Sequence, residues 1–143
     1  LYITGAPSAT VTGANYAIWS DAGLNRFDGN VQIGGATLAF GTSTPTISSG
    51  FGTTPSVTTG TSRAFRVNVG TGGTASTGVV AMTDTATTGW ACNVDDITTP
   101  DTEATLQPAT TTTTVTVVNY DRTTGVQAAW TASDILQFNC QAY

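Results

Sequence analysis

The chain has no lysine and no histidine, and only 9% of its 143 residues are charged. Without histidine there is no ordinary general base, no imidazole member of a nucleophilic triad and no imidazole metal ligand. Without lysine there is neither Schiff-base chemistry nor a P-loop, so the stretch Gly70-Thr71-Gly72-Gly73 reads as a turn rather than a phosphate cradle. The arginines, Arg26, Arg63, Arg66 and Arg122, are scattered, and the net charge is -5. Nucleic acid is therefore not an expected partner, because phosphate binding draws on clustered Lys and Arg; anionic membrane surfaces are disfavoured on the same ground. No apolar run approaches the roughly 18 residues of a membrane span, so membrane insertion is not expected. No charged-then-apolar leader is apparent. The sequence opens on Leu1 rather than Met, which suggests a piece or a processed product of something longer.

Carboxylates are the remaining source of acid–base chemistry. Asp95-Asp96, Asp101 and Glu103 form the one acidic cluster along the sequence. Adjacent residues of a strand face opposite ways, so Asp95 and Asp96 are poorly placed to act as a glycosidase pair. The cluster also lacks the Asp-x-Asp-x-Asp-Gly loop of a calcium site, and reads as a solvated acidic loop. No catalytic residue, no metal and no cofactor is expected.

What is abundant is threonine, about one residue in five. Its β-branch suits a pleated strand and its hydroxyl keeps an outward face wet without charge. Short runs of Thr, Val and aromatic residues alternate with turn residues at intervals of roughly 8 to 12, the pattern of an antiparallel β-sandwich, jelly-roll-like, with very little helix. Phe65, Val67 and Val69 share one face of a strand at Ala64 to Val69, with Arg66 and Asn68 on the other. Further strands are expected at Gly78 to Met82, Trp90 to Val94, Ala104 to Gln107, Thr111 to Tyr120 with Val115 and Val117 inward, Val126 to Trp130, and Asp134 to Ala142. The run Thr110 to Thr114 leads straight into Val115 and is read as the exposed ladder of a strand.

Domain organisation follows texture. Residues 1–40 hold short strand-like pieces separated by Asp-Gly and Gly-Gly turns, too short to bury a core of their own, and read as a stalk-like segment that needs neighbours. Residues 41–62, rich in Gly, Ser, Thr and Pro, form a connection, either a simple linker or extended chain with edge-strand prolines at Pro45 and Pro55. Residues 63–143 form the sandwich.

Cys92 and Cys140 each share a period-2 face with large apolar residues, in Trp90-Cys92-Val94 and Leu136-Phe138-Cys140. Both point inward, either as a disulfide or as two buried thiols; the spacing offers no CxxC motif and no zinc set. For binding, the rings of Tyr120, Trp130 and Tyr143 would suit sugar stacking if they lie outside the core, with Asp121 and Arg122 supplying hydrogen bonds. Trp130, in Ala128-Ala129-Trp130, is read as packing inside, with the outward, sugar-stacking position as the alternative.

The phrase Asn15-Tyr16-Ala17-Ile18-Trp19-Ser20-Asp21-Ala22-Gly23, followed by Arg26-Phe27-Asp28-Gly29-Asn30-Val31, resembles repeats in tail fibre and tailspike-like proteins of tailed bacteriophages. Ser49-Gly50-Phe51-Gly52, Phe65-Arg66-Val67-Asn68-Val69-Gly70, Gly89-Trp90-Ala91-Cys92 and Trp130-Thr131-Ala132-Ser133-Asp134 resemble the C-terminal module of the same proteins. The resemblance implies a virion surface protein, a homotrimer made in the host cytoplasm, whose slender stalk carries a sandwich tip. Its expected partners are sister copies, other virion proteins and host cell-surface polysaccharide. No binding residue carries over, because receptor sites in the family vary. The expected function is non-enzymatic host attachment and trimer stabilisation. The competing readings are a capsid-attached fibre or decoration protein with a purely structural role, and the terminal domain of a polysaccharide-degrading tailspike.

Overall fold

A computed structural model describes residues 43–143. The stalk expected over residues 1–40, with its Tyr16 and Phe27 phrases, lies outside the described residues. Eight strands follow in order: β1 (Thr46–Gly50), β2 (Ser56–Thr61), β3 (Ala64–Asn68), β4 (Thr77–Ala81), β5 (Trp90–Asp96), β6 (Glu103–Thr110), β7 (Thr114–Asp121) and β8 (Ile135–Ala142). They form two four-stranded antiparallel sheets, β1-β4-β7-β6 and β2-β3-β8-β5. The described residues are all-β, and their two sheets enclose one core. Alternation builds it. Phe65 and Val67 of β3, Val80 of β4, Val115 and Val117 of β7, and Leu136 and Phe138 of β8 are all buried and their neighbours less so, except at Val118, which is covered on the other side of β7. Phe65 and Phe138 sit opposite each other in register and stack with centroids 4.5 Å apart.

The sandwich begins before residue 63. The chain read as a connection supplies both leading edge strands, β1 paired with β4 and β2 with β3. Pro45 and Pro55 stand immediately ahead of these strands, where a missing N–H costs no ladder bond. Each edge strand sends one apolar side chain, Ile47 or Val57, against the core, and the rest of its surface is small and polar. That composition is what makes it resemble a linker.

The threonine run is a turn, not a ladder. β6 ends at Thr110 and β7 starts at Thr114. The Thr111 hydroxyl accepts from the backbone N–H of Thr113 and Thr114, closing the bend locally. The turn's carbonyls are then taken by the neighbouring chain: Met82 N–H donates to Thr113, while Ala86 N–H and the Trp90 indole donate to Thr112. Residues 126–130 also form no strand; only a single bridge, Tyr120 to Gln127, pairs there.

Two devices hold the β5 edge. The structure joins Cys92 of β5 to Cys140 of β8, directly opposed in register with Cα atoms 4.1 Å apart. On the other side of β5, the Gln107 side chain behaves like a peptide unit of an absent strand. Its Oε1 accepts from Cys92 N–H at 2.6 Å and its Nε2 donates to the Trp90 carbonyl at 2.6 Å. The edge is thereby paired by a side chain of the facing sheet.

Candidate functional site: an amide-lined depression and an acidic floor

The outer face of the β5–β8 pair carries a run of amides that ends in one charge, the exposed Asp95, whose carboxylate accepts from the Asn93 amide at 3.0 Å. Asn93 lies opposite Asn139 and Ala91 opposite Gln141. These amides, with Arg63 and Gln107, line a shallow open depression of about 680 Å³ beside the disulfide. The Arg63 guanidinium lies over the Trp90 ring, 6.0 Å from its centroid. Amides offer paired donors and acceptors at fixed spacing, the complement of vicinal hydroxyls. The depression holds no nucleophile and no acid–base pair.

The aromatic platform expected from Tyr120, Trp130 and Tyr143 does not form. Trp130 is buried against Phe51, with centroids 5.4 Å apart. Tyr120 lies at the far end of β7, whereas Tyr143 pairs through its backbone with Gly89 ahead of β5, at the opposite end of the sandwich. Asp121 is occupied by its own turn: it accepts from Thr123 and Thr124 N–H at 2.7 and 2.8 Å, and the Thr124 and Thr123 bonds hold its carboxyl below its ordinary pKa. Arg122 donates through Nε to the Glu103 carbonyl at 2.6 Å. Asp121 and Arg122 thus shape the loop end rather than facing a ligand together with Trp130.

That loop end contains a group the sequence reading did not assemble. The inward faces of the strands extend one step past the apolar core and finish in polar residues. Trp90, Cys92 and Val94 lead to Asp96 in β5; Val115 and Val117 lead to Asn119 in β7; and Leu136 leads back to Asp134, just ahead of β8. Glu103 enters from the first position of β6. Asp96, Glu103 and Asp134 are all buried, each offering a carboxylate oxygen within 4.8 Å of the others. The expected solvated loop is therefore half right in place and wrong in character: Asp95 and Asp101 are exposed, while Asp96 and Glu103 turn into the fold.

Hydroxyls and amides surround the acids. Asp96 Oδ1 accepts from Thr98 and Thr99 N–H, and its Oδ2 from the Thr99 hydroxyl at 3.0 Å. Asn119 Nδ2 donates to Glu103 Oε2 at 2.8 Å, and the Thr131 hydroxyl donates to Glu103 Oε1. Three buried oxygens have no partner: Asp134 Oδ1 and Asn119 Oδ1, both on wholly buried residues, and the hydroxyl of Thr105, which lies opposite Asn119 in the β6–β7 register. Burial, then the negative charges of Asp96 and Glu103, push the Asp134 carboxyl up to about 7. Every potential ligand here is oxygen. The sequence signal was available in the period-2 faces, since continuing each one by two residues reaches Asp96, Asn119 and Asp134.

No family model matches the chain, and no curated protein or solved structure matches it.

Proposed function

We propose that the chain is a non-enzymatic fibre or spike module of a tailed-bacteriophage virion, homotrimeric, that attaches to host-surface glycan and stabilises the trimer. The observation that carries the attachment reading is the amide-lined depression, in which Asn139 and Gln141 present amides suited to neutral sugar hydroxyls beside Asn93 and Arg63, over a wall where Gln107 is engaged with the β5 backbone. The trimer and the virion come from the phage-like phrases of the sequence. A disulfide suits a protein that works outside the cell, at the virion surface.

Two measurements test this. Native mass spectrometry at micromolar concentration is expected to show a trimer, and a stable monomer would count against the fibre reading. On a glycan array, the wild-type protein is expected to bind a host polysaccharide, and Asn139→Ala with Gln141→Ala to lose at least tenfold in affinity, about 1.4 kcal/mol, at an unchanged melting temperature. Silence across host glycans would favour the purely structural role. Release of oligosaccharides by this chain alone would overturn the non-enzymatic assignment.

A further inference from the structure

We propose that Asp96, Glu103 and Asp134 bind a calcium ion at the loop end of the sandwich, with the Asn119 side-chain carbonyl as a neutral ligand. Two of the carboxylates, Asp96 and Glu103, close the two ends of the β5–β6 connection, Asp134 comes from ahead of β8, and the fold brings their oxygens within 4.8 Å of one another. Oxygens this close can share one ion, and a set of carboxylates with an amide carbonyl is the donor chemistry of calcium, which accepts flexible geometry where magnesium demands a near-ideal octahedron. With no histidine in the chain and both cysteines in the disulfide, zinc and copper lack their preferred ligands.

The independent observation is the orphaned oxygen of Asn119. Asn119 is not acidic and is wholly buried at the end of the Val115-Val117 face. Its amide reaches into the cluster, donating through Nδ2 to Glu103, and leaves Oδ1 without a partner. Asp134 Oδ1 is buried and unpartnered in the same place. Buried polar atoms nearly always have partners, and the wholly buried Asn119 carbonyl, on an amide already held against Glu103, is left to be satisfied by a positive group beside the three acids. A divalent ion supplies it, and neutralises most of a charge that burial otherwise penalises by several kcal/mol per ion.

The test uses the whole 143-residue chain. Protein stripped with EGTA is titrated with calcium chloride by calorimetry, and its thermal unfolding is followed with and without roughly 1 mM calcium. One ion per chain is expected, with a dissociation constant on the order of 0.1 mM, which raises the folding equilibrium constant about tenfold at that concentration. Asp134→Asn and Glu103→Gln are expected to abolish the binding heat and the calcium-dependent shift, whereas Asp95→Asn, altered on the exposed side of β5, keeps both. Magnesium is expected to give less than about a third of the shift. No heat and no shift with the wild-type protein would overturn the proposal, as would equal shifts from both ions or calcium binding that survives in a folded Asp134→Asn protein. The wild-type titration decides by itself if a variant does not fold.

Discussion

Asp134 is a fully buried acid between two other acids, and burial followed by the charges of Asp96 on β5 and Glu103 on β6 holds its proton to about pH 7. The Thr99 hydroxyl donates to Asp134, the Asn119 amide donates to Glu103, and Arg122 reaches the Glu103 backbone rather than its carboxylate. In the unfolded chain the same carboxyl titrates near 3.8. Between these values the folded state carries more protons than the unfolded one, so raising pH favours unfolding. In EGTA, thermal stability is therefore expected to fall from about pH 4 to about pH 7 and then to level off. Asp121 acts in the other sense but below pH 3.8, outside that window. Asp134→Asn, which keeps the shape and removes the titration, is expected to flatten the profile. A wild-type melting curve that rises across the same range would show that another group dominates.

At the scale of elements, the contact between β1 and β4 depends on an absent side chain. The Phe51 ring, just past β1, lies directly on Gly78 of β4, and a Cβ at Gly78 would overlap it. Gly78→Ala is expected to expel the ring and cost about 2 kcal/mol by overpacking, read as a lower denaturant midpoint at unchanged slope. Phe51→Leu combined with Gly78→Ala is expected to lose less than the two single losses added together, because the smaller side chain relieves the overlap. Additive losses would place the strain elsewhere. Elements of this sandwich are legible in the sequence where both faces are marked, as in Phe65-Arg66-Val67-Asn68-Val69 or Val115 to Val117. They are ambiguous where only one residue turns inward, as in β1 and β2, which fit the edge-strand reading of residues 41–62 as well as the linker reading, and hidden where a repeated residue type changes role midway, as in the threonine run. There Thr110 ends one strand, Thr111 caps the turn and Thr114 begins the next. The acidic floor is hidden for a different reason. Asp96 and Asp95 look alike as residues, and only continuing the Trp90-Cys92-Val94 face to the strand's last position tells which of them is inside.

Across the whole molecule, the two sheets are held by the common core and by Gln107, while the disulfide ties neighbouring strands of one sheet. Cys92 and Cys140 are 48 residues apart in sequence, and the loop between them contains β6 and β7, half of the opposite sheet. Closing it constrains the unfolded chain far more than the folded one, where the cysteines already lie opposite each other in register. On a chain-entropy account the bond contributes about 4 kcal/mol. Domains of this size have only about 5 to 15 kcal/mol in total, so the bond is a large share of the margin. Reduction is therefore expected to lower the melting temperature by on the order of 15 °C. Replacing both cysteines by alanine is expected to give the same lowered value, now indifferent to reductant. A double variant that melts with the oxidised wild-type protein would mean that core packing and the Gln107 bridge already confine β5, leaving the bond with little to add.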